Sequence, residues 1–386
     1  MRFLTPVTFG PLTIKNRIIR AAAFEGMSPG NGVSEALINY HRAVAAGGVG
    51  MTTVAYAAVC QSGLSFRHQL WLRDEILPDL RKLTNAVHRE NAAASIQLGH
   101  CGNMAKRAIA GGRPLAPSAR INWYAPSFPK AMKESDIREM AHHFKSSVVR
   151  AREAGFDAVE IHAGHGYLIS QFLSPYTNRR TDCFGGSLEN RMRFMKRMME
   201  AVMEGAGGKT AVIVKMNMRD GFSGGMEPEE SLHVAETLAG MGVHGMVLSG
   251  GFVSRAPMYV MRGKMPLNTL AANMDNWAMQ QLVKWFGRFM VPEVPFRENY
   301  FLEDAAAFRN KLKLPLIYVG GILSRENVDE VMNRGFDAVA IARALIEDPN
   351  FVKRISSSPH RSPCDTCNHC IAVMYKNPFA CIQHQQ

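Results

Sequence analysis

The segment AVEIHAGHGYL sets His162, His165 and Tyr167 within six residues of one another, at the close of a short apolar run. If that run is a strand and the glycines form a tight turn, two imidazoles and a phenol converge on one point. Imidazole N–H groups stabilise the negative charge that grows on a carbonyl, nitro or carboxylate oxygen when hydride reaches a conjugated carbon. A phenol can then protonate the neighbouring carbon. Two other readings compete. His-x-x-His is also half of a metal site, but a hydrolytic site needs a third ligand and a carboxylate base. The nearby acid, Glu160, is expected by strand alternation to point elsewhere. Otherwise the histidines satisfy buried backbone groups.

A second set of residues suits a phosphate. LIYVGGILSREN ends an apolar run in Gly320 and Gly321 ahead of a helical segment, so backbone N–H groups can approach an anion. AVAIARAL adds a small residue, Ala342, and a bidentate donor, Arg343. Lys215 closes another run. A fixed positive charge there suits the anionic N1–C2=O edge of a reduced flavin, or alternatively the Schiff base of an aldolase-like lyase. The Gln97 amide both donates and accepts, as a pyrimidine edge requires. Together these residues favour a flavin.

Eight apolar runs, each followed by a turn and a longer helical pattern, must position these residues. They are Ile18 to Ala23, Met51 to Val59, Ser95 to His100, Ala158 to Ala163, Ala211 to Asn217, Gly245 to Gly251, Leu316 to Gly321 and Ala338 to Ala344. Eight β/α units close most economically as a (β/α)₈ TIM barrel, an α/β fold whose active site lies at the C-terminal ends of the strands. An open dinucleotide-binding sheet would carry a Gly-rich first turn, which AAAFEGMS lacks. Residues 1–355 are expected to form the barrel. Residues 252–315 form a cap insertion or extra outer helices, and residues 356–386 a Cys-rich tail.

Composition narrows the class. The 386 residues are 47% hydrophobic, enough to fill one large core. Lys and Arg exceed Asp and Glu by 45 to 33, a formal charge of +12 that attracts anionic small molecules or polyanions. The cations look scattered and no nucleic-acid motif is present, so no nucleic-acid partner is expected. The N-terminus lacks a secretory apolar core and no run is long enough to span a bilayer, so a cytoplasmic protein with no membrane partner is expected. Four of the seven cysteines, Cys364, Cys367, Cys370 and Cys381, crowd the C-terminal end. In a reducing compartment such a cluster points to a metal or a thiol pair.

The blocks LTIKNRIIRAA, SIQLGHCG, EIHAGHGYLISQFLSPYTNRRTDCFGGSLENR, YVGGI and AIARALIEDP resemble the old yellow enzyme family, flavin-dependent NADH:flavin oxidoreductases and ene-reductases, over nearly the whole chain. The resemblance implies non-covalent FMN across the barrel mouth, reduced by NADH or NADPH and reoxidised by an activated alkene. It implies Ala21, Ala22 and Ala23 under the flavin, Gln97 at its pyrimidine edge and Lys215 near N1, with Gly320, Gly321, Ala342 and Arg343 on the phosphate. His162 and His165 would grip the substrate's activating oxygen and Tyr167 would be the proton donor. Phe24 stands where many members carry Cys or Thr, and Tyr56 where a small residue often lies near the ring. Phe24 and His100 are assigned to the substrate pocket. An amine or alcohol dehydrogenase of the same family, and a silent flavin-binding protein, are the alternatives. CDTCNHCIAVMYKNPFAC resembles the segment that binds an iron–sulfur cluster in larger two-domain relatives such as dienoyl-CoA reductases and trimethylamine dehydrogenase. It therefore implies an iron–sulfur or zinc site, or a vestigial thiol tail. The small-molecule substrate would be met by a protein that is a homo-oligomer in many relatives.

Overall fold

The computed structural model describes residues 1–123, 128–274, 276–374 and 380–382. Eight parallel strands form a closed barrel: β1 (Ile18–Arg20), β2 (Met51–Ala58), β3 (Ala93–Gly99), β4 (Ala158–Ala163), β5 (Ala211–Asn217), β6 (Gly245–Ser249), β7 (Leu316–Val319) and β8 (Ala338–Ile341). All eight expected runs are strands. The first and last end three residues earlier than expected, at Arg20 and at Ile341 ahead of a short helix from Arg343, and the sixth and seventh end two residues early, before Gly250 and Gly320.

Outer helices follow the strands in order: α1 (Glu35–Ala46), α2 (Leu77–His88), α3 (Glu134–Glu153), α4 (Leu188–Ala206), α5 (Pro228–Gly240), α6 (Leu302–Lys311), α7 (Arg325–Asn333) and α8 (Phe351–Ser357). Ser34, Ser187 and Ser324 cap α1, α4 and α7 by accepting the N–H three residues on, each contributing about 1 kcal/mol. The apolar face of α4, with Met192, Met195, Met198, Met199 and Val202 buried, belongs to the core between strands and helices. Flexible methionines fill such a curved interface readily. α6 falls inside the segment expected as cap, yet its Leu302, Ala305 and Phe308 are core residues, so it is the ordinary sixth helix of the barrel. The cap itself holds the helices Pro257–Met261, Leu267–Ala272 and Trp277–Met290.

A hairpin the sequence reading did not anticipate, Val7–Phe9 with Leu12–Ile14, closes the N-terminal end of the barrel. Its turn needs Gly10, which takes a φ of +55° under the His244 ring, where no Cβ fits. With the bottom plugged, the polar interior faces the other end. There, register pairs Gln97 with Glu160 and His162 with Lys215.

Candidate active site

Glu160 and His162 are two residues apart on β4 and therefore share a face. The expectation that Glu160 points elsewhere is corrected, because alternation puts it inside the barrel. Its Oε1 accepts from Gln97 Nε2 at 2.6 Å and pairs with Lys215 Nζ at 2.9 Å. All three side chains are buried. Lys215 Nζ also donates to the Ala22 carbonyl at 3.2 Å, which ties the stretch after β1 to the mouth of the barrel. An ammonium has three donors, so one N–H of Lys215 is left after Glu160 and Ala22.

Above this layer the structure brings His162, His165 and Tyr167 together. The His162 ring centroid lies 5.1 Å from that of His165 and 4.3 Å from that of Tyr167. Gly164 N–H donates to His162 Nδ1 at 3.4 Å, so the neutral ring carries its proton on Nε2. His165 sits at a φ of +56°, an uncommon conformation for a residue with a side chain. Asn217, at the end of β5, holds it there by accepting its N–H at 2.9 Å. The His165 Nε2 shares a hydrogen bond with Ser249 Oγ at 2.7 Å, and its carbonyl accepts from Val253 where the cap begins. Ser249 is among the strand-end residues that the barrel rule picks out from sequence, whereas Asn217 was not singled out. Their signal was their place at strand ends.

Burial holds both imidazoles neutral. It lowers His165 to about 3, helped by the Lys215 charge. It takes His162 well below the ordinary range, with His165 and Lys215 adding to the effect. Neutral rings are N–H donors that do not themselves carry charge, which suits holding an oxygen whose charge grows during reaction.

Tyr56 packs edge-on against Tyr167, 5.0 Å between centroids, and against His162 at 6.2 Å. Its hydroxyl bonds Ser65, so the ring narrows the space beside Tyr167. Phe24 lies 4.8 Å from Phe66. His100 stands apart from the trio. It is fully buried, accepts from Gly102 N–H at 3.0 Å and shares a bond with Ser62 at 3.1 Å, so it braces the loop after β3. The Ala21–Ala23 stretch is clamped by Arg20, which donates to Ala23 O at 3.0 Å and Thr53 O at 2.6 Å and pairs with buried Glu25 at 2.7 Å. This buried pair was missed because its partners lie on a strand and the irregular segment that follows.

At the ends of β7 and β8, Gly320 and Gly321 take φ values of +139° and +78°. A Cβ on Gly321 would sit 2.8 Å from the Arg297 carbonyl, so packing against the segment before α6 already demands glycine there. Ala342 is half-buried and precedes Arg343. Arg343 lies over the Phe296 ring and donates to Asn368 Oδ1 at 3.0 Å. Asn368, between Cys367 and Cys370, in turn donates to the carbonyls of Arg262 and Lys264 in the cap, at 2.8 and 3.1 Å. One buried amide thus joins tail, cap and β8.

Cys364, Cys367, Cys370 and Cys381 line one cavity with Arg343. Among the described residues, however, no three His, Cys, Asp or Glu side chains lie close enough together to hold a metal ion. The expected iron–sulfur or zinc site is therefore not supported. Burial raises the Cys370 thiol to about 12 and raises Cys364 and Cys367 as well, so these stand as neutral thiols. No helix among the described residues is long and apolar enough to cross a membrane.

Comparison with known proteins agrees with this geometry. The 4,4'-dithiodibutanoate disulfide reductase of Rhodococcus erythropolis is 40% identical over 372 residues, covering 96% of this chain and 92% of that one. Among solved structures, 2-naphthoyl-CoA reductase bound to 2-naphthoyl-CoA superposes with a TM-score of 0.85 at 23% identity, over 99% of this chain and 56% of its own. This chain thus spans little more than half of that protein. The old yellow enzyme homologue from Zymomonas mobilis superposes with a TM-score of 0.74 at 22% identity, over 95% of this chain and 96% of its own. These two likenesses establish the shared barrel. The sequence model of the NADH:flavin oxidoreductase / NADH oxidase family matches residues 2–284, and with a 40% identical relative along nearly its whole length the chain belongs to that family.

Proposed function

We propose that this protein is an FMN-dependent NAD(P)H reductase acting on the C=C bond of an activated alkene, with Tyr167 as the proton donor. The observation that carries the reading is the convergence of neutral His162 and His165 with Tyr167 above the Gln97–Glu160–Lys215 layer.

The donor set fits a flavin. Gln97 and Lys215 are buried polar groups at the mouth, and Lys215 has an N–H to spare for the pyrimidine edge. Ala21, Ala22 and Ala23 offer a floor of short side chains, and Arg343 retains further N–H donors for the phosphate beside Gly320, Gly321 and Ala342. When bound, FMN accepts hydride from NAD(P)H and delivers it to the acceptor. His162 and His165 hold the acceptor's oxygen and stabilise its growing charge, while Tyr167 supplies a proton to the carbon next to the one attacked. Tyr56 and Phe24 confine the acceptor. Lys215 is engaged by Glu160 and the Ala22 carbonyl, which weighs against a Schiff-base lyase.

A second reading is reduction of a small organic disulfide, favoured by the 40% identical relative whose activity is of that kind. The same trio would then hold the acceptor's carboxylate and protonate the departing sulfur. The full chain is to be purified and its visible spectrum followed during anaerobic titration with NADH and NADPH, then during reoxidation by cyclohexenone or by 4,4'-dithiodibutanoate. A flavin spectrum that bleaches and returns with the enone is expected. Return with the disulfide alone would replace the alkene reading by the second. A colourless protein that FMN does not reconstitute would overturn both.

A further inference from the structure

We propose that the mouth end of the barrel docks on anionic lipid bilayers through the cap helix Trp277–Met290. This inference is independent of the acceptor the site reduces. On that helix Trp277, Trp285, Phe286 and Phe289 are 72%, 77%, 56% and 86% exposed, and Leu282 is 40% exposed. Ala278, Leu282, Trp285 and Phe289 recur at helical spacing and share one solvent-facing stripe. Val283 is buried on another side, where Leu267 presses against Gly287, and Lys284 and Arg288 line a third. An aromatic stripe of this size exceeds what a soluble surface ordinarily leaves wet.

The same end of the barrel carries the rest of the surface. Trp123 and Phe128, 78% and 65% exposed, stand on the loop after β3, which leaves the barrel at the end from which the cap rises. That loop, residues 100–133, has six Lys and Arg residues and no Asp or Glu. The segment after β6, residues 250–301, has six against three, so the two hold nine of the chain's twelve net positive charges. Along the sequence these cations look scattered, and the expectation of no membrane partner rested on the lack of a spanning run, which does not bear on a helix lying in the interface. Barrel closure gathers them.

Charge decides the occupant. A second copy would set Lys284 and Arg288 against their own kind, with no acidic residue on the helix to answer them. A nucleic-acid duplex, its bases already stacked, would engage the cations and leave Trp285 and Phe289 in water. An anionic bilayer satisfies both, taking the aromatic stripe into the acyl boundary while Lys284 and Arg288 meet headgroups. With no spanning helix among the described residues, the contact is a helix lying in the interface.

The test is flotation of the full flavin-loaded chain with vesicles of phosphatidylcholine alone and of phosphatidylcholine mixed with phosphatidylglycerol. Wild type is to be compared with Trp285→Ser/Phe289→Ser and with Lys284→Glu/Arg288→Glu. Binding to the mixed vesicles only is expected, lost in the first variant and weakened about 30-fold or more in the second, with the flavin spectrum unchanged in both. Equal binding to both vesicles would overturn the anionic preference. So would vesicle binding that survives the Trp285/Phe289 change. Absence of binding also overturns the proposal, whether accompanied by a dimer that the Trp285/Phe289 change dissociates or by retention on duplex DNA.

Discussion

Replacing Glu160 by Gln tests whether the polar layer at the mouth is a true buried ion pair. Glu160 Oε1 is 2.9 Å from Lys215 Nζ, and both side chains are about 95% shielded from solvent. At that separation the gross attraction is about 6 kcal/mol with an effective dielectric constant of about 20. Desolvation offsets part of it, and stripping one partner from a buried pair costs about 3–5 kcal/mol. Gln keeps an acceptor for Gln97, so the lower figure applies, about 3 kcal/mol. With an unfolding entropy of about 2.1 cal/mol/K per residue, a chain of 386 residues gains about 0.8 kcal/mol/K on melting. Glu160→Gln is therefore expected to lower Tm by about 4 °C, and Lys215→Met by a similar amount or more. The double variant should lose less than the two summed, with a coupling of about 2 kcal/mol. A drop under about 1 °C with coupling under about 0.5 kcal/mol would refute the buried pair. Flavin potential is a separate readout. With Glu160 neutral, the Lys215 charge is unshared and the midpoint potential should rise in a dye-equilibration titration. An unchanged potential would refute the placement of Lys215 beside the ring while leaving the stability result standing.

Tyr167→Phe should slow reoxidation by an enone by about 10² to 10⁴ while reduction by NAD(P)H keeps its rate in stopped-flow traces; equal slowing of both halves would sink its acid role. Burial holds His100 at about 3, below its unfolded value of about 6.5. The unfolded chain therefore takes the proton first, and stability falls as pH drops from about 6.5 towards 3, by up to about 1.4 kcal/mol per pH unit. His100→Gln should flatten the dependence of urea midpoints on pH across that window, and an unaltered slope would count against a neutral buried His100. Asn368→Ala removes the 3.0 Å bond to Arg343 and two bonds to the cap, so flavin fluorescence should report FMN binding weakened about 5- to 30-fold, for a loss of about 1–2 kcal/mol. Arg343→Ala is the reference. If it weakens binding and Asn368→Ala does not, Arg343 is oriented without the tail.

Local sequence determined the barrel and the end that works. Each strand is a short apolar run closed by a turn residue, and parallel strands must place all those closures at one end. His162, His165 and Tyr167 were legible for the same reason, since six consecutive residues cannot move far apart. Glu160 was legible too, had its two-residue spacing from His162 been followed. The relations between segments were decided by the tertiary structure. Whether Glu160 meets Lys215, whether the tail's Asn368 reaches Arg343, and where His100 turns depend on register and loop path between segments far apart in the chain. No periodic pattern carries that information. The same holds for the charged and aromatic end of the molecule. Its residues come from two loops separated by three strands, and only the folded barrel makes them one surface.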